Sequence, residues 1–103
     1  MMKSMKLTEE EIVTRLGQAD GWSREDGKWI VKSYRFPAYM DGIQFVQEIA
    51  RISEQELDHH PFIAVDYKLV RLRLTSWRAG GLMDLDFEAA SRYDAVFERY
   101  ADL

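Results

Sequence analysis

The side chains best suited to moving protons in this chain are its two histidines, which are adjacent: His59 and His60 in Leu57-Asp58-His59-His60-Pro61. An unperturbed imidazole titrates at about pH 6.5, so it can both give and take a proton near neutrality. The residue before a proline is driven to extended backbone, which puts His60 where a helix gives way to a strand. Consecutive residues on extended backbone point to opposite sides, so the pair is poorly placed to chelate one metal ion. No cysteine and no His-Glu-x-x-His spacing is present to complete a metal site. The plain structural alternative makes both histidines loop residues, one of them closing the helix C-terminus.

The neighbouring elements decide what else reaches this pair. Thr8-Glu9-Glu10-Glu11 has the spacing of a capping box, with Leu7 and Ile12 as its hydrophobic staple. Ile12, Val13, Leu16 and Ala19 form an apolar stripe, and Asp20-Gly21 ends this first helix. Trp22-Ser23-Arg24, a turn at Glu25-Asp26-Gly27 and a strand over 29–36 read as a hairpin closed by Pro37. Trp22 and Trp29 are expected to pack as a cross-strand pair. Over 38–57 the pattern is helical, with Met40, Ile43, Val46, Ile49 and Ala50 on one face, widened by Phe45 and Ile52.

Past the histidines, a strand over 62–65 and a turn at Asp66-Tyr67-Lys68 open a second hairpin. Val70, Leu72 and Leu74 then alternate with Arg71, Arg73 and Thr75, as in a strand with one buried face. Arg71 and Arg73 read as a solvated or subunit-facing stripe. Gly80-Gly81 breaks the strand, and a last helix over 84–100 has Ala90, Tyr93, Phe97 and Tyr100 as its stripe. The order helix-hairpin-helix-hairpin-helix predicts an α+β domain covering 1–103, a four-stranded antiparallel sheet with three helices on one face. In that topology the segment before the third strand and the segment after the fourth lie at one end. His59, His60, Thr75, Ser76 and Trp77 can then line one cleft, with Asp84 or Asp86 arriving at the next helix as a contact or a cap. Such a cleft suits a flat, polar heterocycle, with Trp77 as a packing surface unless it is core.

Composition narrows the classes further. The chain has 103 residues, 47% of them hydrophobic, which is enough for one core. Its net charge of -4 leaves no basic excess for nucleic acid. No apolar run approaches the roughly 20 residues of a membrane span, and the first residues lack a signal-peptide core, so a cytoplasmic protein is expected. No phosphate loop, nucleophile elbow or dinucleotide fingerprint appears.

The spacing around the histidines resembles the pterin-4a-carbinolamine dehydratase family. His59-His60-Pro61 is followed after five residues by Tyr67, after nine more by Trp77 and after eight more by Asp86. The run Thr75-Ser76-Trp77-Arg78-Ala79-Gly80-Gly81-Leu82 is similar to the family's segment there, and the likeness extends over nearly the whole chain. It implies dehydration of 4a-hydroxytetrahydropterin to the quinonoid dihydropterin in pterin recycling, with no metal or organic cofactor. By resemblance His59 is the general acid/base, and His60, also counted catalytic, orients the pterin. Asp58, Thr75, Ser76, Trp77, Arg78 and Asp86 then surround the substrate, and a homodimer or homotetramer is implied.

Three positions depart from the family pattern. Gln55 stands where an acid is common, flanked by Glu54 and Glu56; Trp77 replaces a third histidine; Met83 replaces a Ser or Thr cap. An indole has no acid function near neutrality. The rival implied by the same resemblance is a non-catalytic pterin-binding or dimerisation module of the transcriptional co-regulator kind, and a third is a role near molybdopterin metabolism.

Overall fold

The structure is a computed structural model and describes residues 5–101. Helix α1 (Glu9–Gly17) starts where Thr8 and Glu11 satisfy each other's backbone donors, at 3.2 Å and 2.8 Å. Strands β1 (Ser23–Glu25) and β2 (Trp29–Arg35) are joined through Asp26 and Gly27, with φ of 53° and 74°. Two successive left-handed residues give a turn whose twist matches its strands. Helix α2 (Tyr39–Ile52) continues into a π-helical turn, Ser53–Leu57, which left-handed Asp58 terminates. Strands β3 (Phe62–Asp66) and β4 (Leu69–Leu74) make the second hairpin; a 3-10 turn at Trp77–Ala79 leads to helix α3 (Asp84–Ala101).

Pairing of β2 with β4 joins the hairpins into one antiparallel sheet, ordered β1-β2-β4-β3. The register sets Ile30 opposite Leu74 and Tyr34 opposite Val70. These side chains share the inner face with Leu72 and are buried with Ile12 of α1, Phe45 and Ile49 of α2, and Ala90 and Tyr93 of α3. Burial of each large apolar chain contributes about 1.5–3 kcal/mol, so this single inner face is what fixes the helices on the sheet. The expected α+β architecture is the observed one. Among the described residues no helix is long and apolar enough to cross a membrane.

Three packing expectations are corrected. Trp22 and Trp29 do not pair. Side chains alternate faces along a strand, and Ser23 and Glu25 share the outer face with Val31 and Trp29, so Trp22 turns inward. It is buried 6.4 Å from the Tyr34 ring, and its Nε1–H donates to Asp94 at 3.2 Å. Val13 is exposed, because α1 is narrow enough for Ile12 alone to be fully buried. On α2 the buried face is Gly42, Phe45, Ile49 and Ile52, whereas Met40 and Ala50 are exposed. Two apolar stripes run along this helix. The sheet takes the one containing Gly42, where an added Cβ would sit 3.3 Å from Val70 and 3.4 Å from Phe36, so close packing selects that side.

Candidate active site

Phe62, first in β3, pairs with Arg73, next to last in β4. The segments before β3 and after β4 therefore emerge side by side, and a bridge between Ser76 and Gly81 folds the 3-10 turn back toward α3. Between them lies a cleft of about 560 Å³. It collects Asp58, His59, His60, Thr75, Ser76, Trp77 and Arg78, and adds Ala79, Met83 and Leu85 to them. Asp86 does not line the cleft. It is fully buried behind it.

Burial of Asp86 gives it three partners. Its Oδ2 accepts from the Ser76 hydroxyl at 2.7 Å and the Met83 N–H at 2.8 Å, and its Oδ1 lies 2.7 Å from His59 Nε2. A carboxylate already accepting two donors acts as an acceptor toward the third, so Nε2–H donates and the lone pair of a neutral ring resides on Nδ1. Among the described residues Nδ1 has no hydrogen-bond partner, and no buried side-chain nitrogen or oxygen is left unpaired, so Nδ1 is open to solvent. The His59 side chain is 13% exposed, a nearly buried ring with one working nitrogen.

Asp86 is also the third residue of α3, and its bond to Met83 N–H is the backbone-directed half of a capping box. Of the two candidate caps, Asp86 fills the role and Asp84 does not. Asp84 is exposed and forms an ion pair with Arg15 across to α1. With Met83 at the cap position, no hydroxyl is available there, and the N3 carboxylate alone satisfies the backbone donor.

His60 stands on the more exposed side and bonds Glu54 Oε1 through Nε2 at 2.8 Å. Of the three candidates for the acidic position, Glu54 is the one that reaches a histidine. Glu56 is occupied by Arg92 and Arg51, whose hydrogen bonds hold its carboxyl below the usual range. The π turn sets this choice by adding a residue to the helical turn before the histidines. That turn is anchored from inside: Ser53 Oγ donates to Ile49 C=O at 2.7 Å and lies 2.6 Å from Tyr93 Oη, while Ser53 C=O accepts from His59 N–H at 3.1 Å. Burial raises the Tyr93 hydroxyl's pKa, with the Asp86 charge adding to it, so Tyr93 stays neutral beside the carboxylate.

Thr75 and Ser76 line the cleft with committed hydroxyls: Thr75 Oγ1 donates to Lys28 C=O at 2.6 Å, and Ser76 Oγ to Asp86. Trp77 is 78% exposed, which removes it from the core. Its ring meets Trp29 edge-on at 5.2 Å. Tyr67 does not reach the site. It occupies the β3–β4 turn and stacks on Tyr39 at 6.5 Å, at the far end of a strand about 16 Å long. Arg71 and Arg73 both bond the Glu25 carboxylate on the outer sheet face.

Sequence reasoning missed the Ser53–Tyr93 anchor, the π turn and the lining by Met83 and Leu85. The position of Asp86 three residues after Met83 was the available signal for its capping bond.

An α+β sheet thus carries a cleft in which a buried carboxylate holds an imidazole and an exposed indole stands at the rim. The family model described as pterin 4 alpha carbinolamine dehydratase matches residues 5–96. The chain belongs to that family. It is 39% identical over 92 residues to a Sulfolobus acidocaldarius protein named "Putative pterin-4-alpha-carbinolamine dehydratase", covering 89% of this chain and 99% of the other. A Nitrosospira multiformis protein of the same name is 39% identical over 92 residues, covering 89% and 80%. The crystal structure of a transcriptional coactivator/pterin dehydratase from Brucella melitensis superposes with a TM-score of 0.83 at 32% identity, covering 88% of this chain and 97% of the other.

Proposed function

We propose that this protein dehydrates a 4a-hydroxytetrahydropterin to the quinonoid dihydropterin, in pterin recycling. The observation that carries the proposal is the His59–Asp86 pair at the wall of a cleft sized for a flat heterocycle. In the reaction the C4a–O bond breaks, the hydroxyl leaves as water, and loss of the N5 proton makes the C4a–N5 bond double. One proton goes to the leaving hydroxyl and one comes from N5. A His59 ring that exchanges its proton through Nδ1 serves either transfer, and Asp86 stabilises the imidazolium and fixes the ring plane. His60, held by Glu54, orients the pterin and is the second titratable group at hand. Asp58 offers an acceptor for the ring's polar edge, and Trp77 an aromatic face.

The proposal includes a cytoplasmic homodimer or homotetramer. Supporting self-association, β3 is an edge strand with Phe62 and Val65 exposed, and Met40 lies on the uncovered stripe of α2. A second reading, a non-catalytic pterin-binding or dimerisation module, draws its support from Trp77, since an indole brings no acid to the opposite side of the substrate.

The test is stopped-flow absorbance with synthetic 4a-hydroxytetrahydropterin. Dehydration should accelerate in proportion to protein concentration. Pterin binding without acceleration would leave the binding module as the function.

A further inference from the structure

One wall of the cleft has features that proton transfer does not use. Trp77 is mostly in solvent, yet its ring is held: Trp29 meets it edge-on, the Arg73 guanidinium lies 4.2 Å from the Trp29 ring centroid, and Glu25 fastens Arg73 at 2.7 Å. A large ring fixed in an exposed position on a cleft rim presents a ready face for a ligand. Beside it, on the same 3-10 turn, Arg78 lines the cleft. Arg71 and Arg73 share the Glu25 carboxylate, whereas Arg78 has no acidic partner among the described residues. The cleft's one lining acid, Asp58, comes from the other wall, at the α2–β3 junction. A pterin has the same polarity. Its pyrimidine end carries N–H donors that suit a carboxylate, and its C6 substituent projects from the opposite end.

We infer that Trp77 and Arg78 form a subsite for an anionic C6 substituent, so that the preferred pterin carries a phosphate or a carboxylate on its side chain. The inference rests on the pterin reading of the cleft and adds the substrate class. A guanidinium binds either anion through charge-assisted hydrogen bonds.

The experiment is calorimetric titration of wild type and Arg78→Gln with three stable oxidised pterins: 6-hydroxymethylpterin, its phosphate monoester and 6-carboxypterin. At low salt at least one anionic pterin should bind roughly tenfold tighter than the neutral one, the larger gain identifying phosphate or carboxylate. In Arg78→Gln the advantage should disappear while the neutral pterin keeps its affinity. Equal affinity of all three for wild type overturns the subsite, as does an anion preference that survives the substitution. An equal loss for all three in Arg78→Gln also overturns it, by putting the guanidinium on the ring carbonyl. If none of the three binds, the pterin reading falls and the subsite with it.

Discussion

Asp86 holds His59 at 2.7 Å with one carboxylate oxygen and caps its own helix with the other. The start of α3 and the imidazole are thereby one unit, and the ring's orientation is as rigid as the helix. Three donors converge on a side chain with no exposure, so loss of the charge acts on stability and on proton transfer together.

Asp86→Asn keeps the volume and removes one acceptor oxygen. Turnover should fall about 10²-fold or more, because the His59 proton is no longer fixed on Nε2. The fold should weaken by about 1–3 kcal/mol, from a buried donor left unpaired. Steady-state kinetics and urea melts on the same variant check both, and a destabilised protein with wild-type turnover would contradict the role.

Trp77→Ala should cost little stability, within about 1 kcal/mol, since the ring is 78% exposed and loses only its edge contact with Trp29. Pterin affinity should drop. Thermal melts combined with fluorescence titration separate this from a core residue, whose truncation typically costs about 3–5 kcal/mol.

Alkaline pH should unfold the protein through two tyrosines. Burial, then the hydrogen bond to Asp94, pushes the Tyr34 pKa far above its ordinary value, and burial raises that of Tyr93. A raised folded-state pKa means that this stability is complete below about pH 10 and lost as pH rises beyond it, at about 1.4 kcal/mol per pH unit for Tyr34, with Tyr93 adding in the same direction. Denaturant midpoints at pH 9 and 11 should differ accordingly, and less so in Tyr93→Phe. Identical midpoints would contradict the linkage.

Much of this architecture was legible because it rests on local rules. The Thr8–Glu11 box, the alternation over 70–74 and the left-handed turn at Asp26-Gly27 each follow from short-range chemistry. The cleft was legible through topology, since antiparallel pairing forces His59-His60 and Thr75–Arg78 to one end. The face of α2 was not, because its two apolar stripes differ only in how closely Gly42 lets the sheet approach. Nor was the π turn, which is tied inside by the buried Ser53–Tyr93 contact between residues 40 positions apart. Asp86 fell between a cap and a ligand contact, and burial made it the cap and the support of His59.

The proposed self-association draws its support from the open β3 edge and the uncovered stripe of α2. Sedimentation velocity at micromolar concentration should give a dimer or tetramer, and Phe62→Lys or Met40→Lys should shift it toward smaller species. A single species of monomer mass in the wild type would contradict the expected assembly.

The most direct test of the account is the turnover of His59→Ala on synthetic 4a-hydroxytetrahydropterin, with circular dichroism confirming the fold. Loss of the acid/base should reduce kcat about 10²-fold or more, while affinity for a stable pterin changes far less. A folded His59→Ala protein that turns over at the wild-type rate would contradict it.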